Sequence, residues 1–552
     1  MATIRRVLLV NPPDPGLLSG KDSLGYMYFE PPLGLLYVYG YLKTRDDLDV
    51  HFVDLNTEYH AVAGQKDFDT LVREHCEMVR PDLVGIAALY YSGIGTFHTV
   101  ARHFRAHAPD SVIIMGGHYP SHLTQMCLAD PVVDYAVLSE GETGLSDLID
   151  ALNDGRDLSG VEGVGYRTSQ GICKNPRLHF WKDYKTVPRL DYEVLEFDRY
   201  FKSGRQVLDR IYKPGDIRVG TLTASRGCPN SCAFCSSPSF WRRRWRAREP
   251  ELVAREMRHL RDAYGVNTFL FNDENICANL RWFKELLDAI TPLGVRWMSY
   301  GGLQVSPLVD RELVARMYDS GICLFNLAIE SGNDATLQRV RKPLTVEKTV
   351  RAVENIRAEG DGYMTGFFIT GFHFETRRDV QSTLEFAATL PIDWKCFYCF
   401  QPFPGSALYE ECLSQKVIKA FNPDYKECFY APKLQHIDYT DIELQDMNYR
   451  ANLRINFQDN INLLAATSKG LAQARRDFAY VESMAGGHVI ALHGLARVEL
   501  LEGDAGAACG FLARAREAYD AKTDFWKPYL DALGLDLAAD LATARQAAGF
   551  IA

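Results

Sequence analysis

Three cysteines stand in the run Cys228-Pro229-Asn230-Ser231-Cys232-Ala233-Phe234-Cys235. Thiolates spaced C-x3-C-x2-C can converge on one small inorganic unit, and iron–sulfur clusters are held by such thiolates. A cubane cluster has one more iron than three cysteines can ligate, so one iron stays open to bind and react. Two plainer readings stand beside this one. A zinc knuckle normally wants four protein ligands, usually as two spaced pairs, and no fourth ligand follows nearby. Three merely buried thiols need no particular spacing, and with 13 cysteines in 552 residues the run is hard to reach by chance.

Other stretches carry weaker chemistry. Trp241-Arg242-Arg243-Arg244-Trp245-Arg246-Ala247-Arg248 is the one strongly basic run. Cations interleaved with aromatics can bind nucleic acid, can meet the anionic groups of a small cofactor, or can form a solvated face. Cys396 and Cys399 form a C-x2-C, with Cys412 and Cys428 beyond. An auxiliary cluster is conceivable there, but strand positions three apart point to opposite faces, which favours structural cysteines.

The elements that must position these residues are legible as apolar runs. Before the cysteines, strands are predicted at 6–11, 49–54, 83–88, 112–117 and 135–138, with a helix over 32–42. Continuous apolar strands alternating with helices predict a doubly wound parallel sheet. Such sheets bind ligands beyond the carboxyl ends of their strands, so the candidate loops are 11–31, 89–96, 116–121 and 139–143. Val219-Gly220-Thr221-Leu222 reads as the strand entering the cysteine loop, and a helix opens at Pro250. Further strands follow at 267–272, 295–300, 323–329, 363–369 and 395–400. In parallel barrels chemistry sits at the carboxyl ends of strands. Asp273-Glu274-Asn275 and Glu330-Ser331-Gly332 fall at such ends.

The cysteine run resembles that of the radical S-adenosylmethionine (SAM) superfamily, on a loop after the first strand of a partial (β/α)6 barrel. The resemblance implies that SAM chelates the open iron and that one electron splits it into methionine and a 5′-deoxyadenosyl radical. It also implies that Asp273 or Glu274 holds the SAM ammonium, and that Glu330 and Ser331 meet the ribose and the methionine carboxylate. Gly366 and Gly371 resemble a motif under the adenine, and Pro404 a turn after the sixth strand. The upstream sheet is similar to the cobalamin-binding domain ahead of many radical SAM barrels. Its matching residues are Asn11 and Pro13, Pro31-Pro32-Leu33-Gly34, Gly116-Gly117-His118 and Glu140-Gly141-Glu142. Many cobalamin proteins carry D-x-H-x-x-G after the first strand, and here that loop has no histidine. His51 reads as a structural strand residue. The resemblance then implies cobalamin without a histidine ligand, with Tyr90, Tyr91 or Ser92 as candidates to face the cobalt.

The expected class is therefore α/β. It comprises an N-terminal Rossmann-like doubly wound sheet (1–150), a connector (151–215), a partial barrel (216–430) and a helical C-terminal domain (431–552). Within the last, residues 491–508 resemble one tetratricopeptide-type hairpin, which alone cannot form a solenoid. It is expected to cap the barrel, with partner docking as the alternative. A net charge of -10 argues against nucleic acid as the main partner. No run reaches the ~18 apolar residues of a membrane span. The N-terminus passes straight into a strand, and the scattered cysteines suggest reduced thiols in the cytoplasm. The reading that follows is a cobalamin-dependent C-methyltransferase of a small specialised metabolite, with a [4Fe-4S] cluster, SAM and an external donor of flavodoxin or ferredoxin type. Oxidative cyclisation or ring rearrangement is the alternative, as is radical carbon–carbon coupling on a degenerate cobalamin fold.

Overall fold

The computed structural model describes residues 3–14, 30–62, 64–89, 91–181, 184–185, 190–202, 208, 210–212, 217–418, 434 and 436–549. The N-terminal sheet comprises β1 (Arg6–Asn11), β2 (Asp49–Asp54), β3 (Leu83–Ala87), β4 (Val112–Gly116), β5 (Tyr135–Val137), β6 (Val164–Thr168) and β7 (Gly171–Asn175). Their spatial order is β2-β1-β3-β4-β5-β6-β7. The first five strands pair in parallel. The run Val7-Leu8-Leu9-Val10 shows why this sheet is covered on both faces. Leu8 and Val10 enter one apolar layer and Val7 and Leu9 the other, as strand alternation requires. The β6–β7 hairpin adds on antiparallel. It comes from the stretch that the sequence presents as a connector.

A second sheet forms the partial barrel. Its strands are β8 (Val219–Leu222), β11 (Thr268–Phe271), β12 (Arg296–Ser299), β13 (Leu303–Gln304), β14 (Ile322–Glu330), β15 (Tyr363–Thr370) and β16 (Trp394–Cys399). The short ribbon of β9 (Ser225–Arg226) and β10 (Arg246–Ala247) sits beside it. The order is β16-β15-β14-β12-β11-β8, with β13 paired to β14. Phe269, Trp297, Phe325 and Phe368 pack on the outer helices. Leu270, Met298, Leu324 and Tyr363 point the other way, into a cluster with Leu453, Phe457, Leu471 and Phe478 of the C-terminal helices.

Those helices run from Asp441 to Ala547. Helices Val489–Glu502 and Ala505–Ala521 meet at Gly503, which has φ 87°, and Asp504, whose side chain caps the second helix. The helical region is fastened to the barrel by buried polar contacts. Asp477 accepts from Tyr363 (2.8 Å) and pairs with Arg210 (3.1 Å). Asn456 bonds both the amide and the carbonyl of Lys395 on β16 (2.9 and 2.7 Å). That contact covers groups an edge strand would otherwise leave open.

Candidate active site

The cysteine loop leaves β8 and is held at its root by two acids at the end of β11, Asp273 buried and Glu274 half-buried. Asp273 accepts from the Ala224 amide (3.1 Å), the Ser225 amide and the Ser225 hydroxyl (2.9 Å). Glu274 accepts from the Gly227 amide (2.8 Å) and the Trp241 indole (2.6 Å). Burial pushes the Asp273 carboxyl up to about 7. Both acids thus hold the loop backbone, a use the sequence does not reveal. The tip is tied by Ala233, whose amide donates to Val340 and whose carbonyl accepts from Leu408, both at 2.8 Å.

The sulfurs are addressed by donors. Asn275 Nδ2 stands 3.5 Å from Cys228 Sγ and the Ser237 amide 3.4 Å from Cys235 Sγ. Burial pushes the Cys232 thiol up to about 11 and Cys235 up to about 12. These thiols therefore keep their protons at neutral pH until a cationic centre displaces them. Among the described residues, no three His, Cys, Asp or Glu side chains close on a point that one metal ion could occupy. Three thiols with sulfur-directed donors suit a cluster.

Glu330 ends β14 with φ 68°. Its carboxylate pairs with Lys342 at 2.8 Å. Burial alone would lower the Lys342 ammonium, but Glu330 and the neighbouring Cys232 and Cys235 sulfurs raise it above the usual lysine value. Lys342 is a residue that sequence reasoning missed. No signal in the sequence pointed to it, since Lys342 is buried between the exposed Arg341 and Pro343. The other expected SAM contacts have the following surroundings. Ser331 is fully buried and its hydroxyl lies 3.0 Å from that of Thr383, inside the turn. A side chain at Gly366 would meet Phe368 of the same strand and Ile392 of the loop before β16, and one at Gly371 would meet Leu444 of the helix 441–453. Gly371 thus lets the end of β15 approach that helix closely. The Pro404 carbonyl accepts from Tyr91 (3.0 Å), joining the barrel to the N-terminal sheet.

Between the two sheets lies a cavity of about 270 Å³. One wall is the carboxyl edge of the N-terminal strands, including Gly34, Gly85, Gly116, Gly117, His118 and Gly141. The other includes Thr223, Arg226, Phe240, Trp241 and Glu274 next to the cysteine loop. Charges at its border are paired. Glu140 accepts from Arg226 (2.8 Å), from Arg246 (3.1 Å) and from the Trp181 amide (2.7 Å). Glu142 pairs with Arg226 at 2.7 Å. The Arg226 guanidinium lies over the rings of Tyr37 and Tyr184 at 4.5 and 4.7 Å. The His118 imidazole stacks on Phe240 at 4.1 Å and has no hydrogen-bond partner among the described residues. Burial lowers it to about 4. Glycine walls, an apolar lining and an unpartnered neutral imidazole fit a bulky ligand with polar edges.

The remaining expectations distribute as follows. Asn11 Nδ2 donates to Asp54 (2.8 Å) at the ends of β1 and β2, and neither Asn11 nor Pro13 lines the cavity. Tyr90 and the Ser92 side chain lie outside the described residues, as does Cys428. Tyr91 reaches the seam and lies 2.6 Å from His122 Nδ1. The arginine run splits: Arg242, Arg243 and Arg244 are exposed, whereas Arg246 and Arg248 pair with Glu140 and Glu256. Cys396 packs in the cluster around Tyr363 and Trp394, and Cys399 against the helix 441–453. Cys412 lies 3.4 Å from His373.

Comparison with known proteins agrees with this arrangement. Residues 222–387 match the Radical SAM superfamily and residues 26–149 the B12 binding domain. The chain is thus a radical SAM enzyme with a B12-binding domain on its N-terminal side. More particularly, it belongs with the cobalamin-dependent radical SAM enzymes, and its cofactors are a [4Fe-4S] cluster, SAM and cobalamin. An uncharacterized methyltransferase PH0819 of Pyrococcus horikoshii is 27% identical, across 76% of this chain and 85% of its own. Cytidylyl-2-hydroxyethylphosphonate methyltransferase of Streptomyces wedmorensis is 27% identical, across 86% and 91%. Anaerobic magnesium-protoporphyrin IX monomethyl ester cyclase of Rubrivivax gelatinosus is 29% identical, across 75% and 70%. In fold, the chain is similar to the cobalamin-dependent SAM radical enzyme OxsB, with TM-score 0.66, 14% identity and coverage of 95% and 75%. The methyltransferase TsrM of Kitasatospora setae gives 0.61, 18%, and 94% and 100%.

Proposed function

We propose that this enzyme is a C-methyltransferase that acts on an unactivated carbon of a small specialised metabolite. The observation that carries the reading is the cavity shared by the strand ends of the N-terminal sheet and the root of the cysteine loop. A ligand there lies against both cofactor regions at once. When bound, the cofactors supply one-electron cleavage of SAM and a methyl group carried on cobalamin.

The chain's own residues supply position. Cys228, Cys232 and Cys235 would hold the cluster, and Asp273 and Glu274 fix the loop that presents them. Glu330, held in place by Lys342, would orient SAM. Gly116, Gly117, His118 and Gly141 would flank cobalamin, with Glu140 and Arg226 closing its border. The apolar lining and stacked rings of the seam keep water from a radical reaction.

A one-electron reductant is required, and a cytoplasmic setting suits the many free thiols. Among the described residues no helix is long and apolar enough to cross a membrane. The relatives named as methyltransferases support methyl transfer, and those named as cyclases mark the competing outcome. Anaerobic turnover of reduced, cobalamin-loaded enzyme decides between them by mass spectrometry. Methyl transfer adds one carbon to the product and forms 5′-deoxyadenosine. A product with no added carbon would reject this reading.

A further inference from the structure

The turn at Arg242 and Arg243 breaks two rules at once. The Arg244 amide donates to the Trp241 carbonyl (3.0 Å), closing a four-residue turn. Its central residues have φ 51° and 59°. Two consecutive left-handed residues make a type I′ turn, which normally takes Asn or Gly. Here both are arginines, and Arg244 follows. All three are exposed, and none forms an ion pair among the described residues. Most arginines elsewhere in this chain of net charge -10 are partnered. Arg244 lies over the Phe180 ring at 5.8 Å, yet the three charges stay outside any ion pair among the described residues, and on an acidic protein they are open to a partner of opposite sign.

The turn is also bound to the cysteine loop. Arg243 Nε donates to the Pro229 carbonyl (3.1 Å), one residue from Cys228. A side chain at Gly227, whose φ is 83°, would run into the Arg244 carbonyl, so the two backbones are in close contact. Trp245 donates to the Asn275 carbonyl (3.0 Å), and Asn275 Nδ2 reaches Cys228 Sγ (3.5 Å). Two short routes therefore run from the exposed arginines to the first cluster ligand. Pro229, Asn230 and Ser231 are only half-buried, so the protein cover here is thin.

We infer that Arg242, Arg243 and Arg244 form the docking surface for a small acidic protein that delivers single electrons. The inference rests on the cluster reading above. No bond forms or breaks: one electron leaves the donor's reduced flavin or iron–sulfur group and enters the cluster held by Cys228, Cys232 and Cys235. Three unpaired cations steer an acidic partner over a Debye length of roughly 10 Å. Arg243 then sets its carrier over Pro229.

The test uses the full-length, cluster-loaded enzyme and a bacterial flavodoxin in its hydroquinone state. Stopped-flow bleaching of the cluster absorbance gives the second-order rate of reduction, and a parallel reaction with dithionite reports access to the cluster. The triple charge reversal R242E/R243E/R244E should slow reduction by flavodoxin about ten-fold or more, as loss of electrostatic steering does. Its dithionite rate should stay within two-fold of the parent, on the order of ordinary scatter. The parent's flavodoxin rate should fall steeply with added salt. A second variant, R242N/R243G, restores residues that suit the turn. It should melt no lower than the parent yet still reduce slowly with flavodoxin. Unchanged flavodoxin rates in both variants, or a salt-independent parent, would overturn the proposal. Equal losses with both reductants would overturn it too, since the turn would then only hold the loop. A parent that forms no cluster at all would reject the underlying reading instead.

Discussion

Lys342 Nζ stands 2.8 Å from Glu330 Oε1, with side-chain exposures of 2% and 10%, at the end of the strand above the cysteine loop. Removing one partner of such a pair leaves a charge buried alone, which costs about 3–5 kcal/mol. Lys342→Met should therefore lower stability in denaturant by that order and weaken SAM binding measured by equilibrium dialysis. The double change with Glu330→Gln should recover part of the stability but none of the SAM affinity. A Lys342→Met protein with unaltered melting and SAM binding would show that the pair is dispensable.

Glu140 carries the seam between the sheets. Its side chain is fully buried and faces two guanidiniums. Burial alone would raise its carboxyl, but Arg226 and Arg246 hold it below the usual range. Glu140→Ala strands one positive charge and frees the Trp181 amide. We expect about 3–5 kcal/mol of lost stability and a lower ratio of cobalamin to protein after gel filtration. Glu162→Ala, which removes a half-buried partner of the exposed His179 just before β6, is the control and should cost less than the Glu140 change and leave the cobalamin ratio as in the parent.

These two pairs mark where sequence stops. The fold was legible because long apolar runs such as Val7–Val10 and Phe325–Ile329 have one reading in a parallel sheet. The cysteine run was legible because spacing alone implies convergence. The β6–β7 hairpin was not, because Gly163 and Gly165 read as linker while Gly165 in fact lets the strand approach Thr124 and Ala136 closely. Asp273 and Glu274 were found, but their partners are backbone amides of a loop 47 to 49 residues away, which no pattern in the chain announces. Lys342 and Arg226 were missed for the same reason. A buried cation is recognised by its partner, and the partner is distant in sequence.

The seam should be acid-sensitive. Burial lowers His118 to about 4 and His122 to about 3, with His118 and Lys174 adding to the second. In the unfolded chain both titrate near 6.5. Between those values the unfolded chain binds protons that the folded chain does not, so stability is full above about 6.5 and falls as pH drops toward 4. The loss should be of the order of 1–3 kcal/mol per histidine over that window. Melting midpoints measured from pH 7 to pH 5 should fall for the parent and fall less for His122→Asn. A parallel slope in both proteins would place the acid sensitivity elsewhere.

Two glycines on the cavity wall separate fold from ligand. Gly117 has φ 117° and ψ -163°, a region open to glycine almost alone, and a Cβ there would stand 2.7 Å from the Ala88 carbonyl oxygen. That oxygen is backbone and cannot swing aside. Gly117→Ala should thus cost about 1–3 kcal/mol in strain before any clash is counted, whether or not a ligand is present. Gly34 lies in the helix Leu33–Leu42, and a Cβ there meets nothing within 4 Å. Replacing a helical glycine by alanine gains up to about 1 kcal/mol, so Gly34→Ala should melt at or above the parent. Gly34→Leu keeps that helix but sends a larger side chain toward the cavity that Gly34 lines. It should fold normally and take up less cobalamin, read as bound absorbance per protein after loading. Should Gly34→Leu bind cobalamin as fully as the parent, the cofactor does not lie along this wall. The glycines of 116–117 would then be there for the strand turn alone.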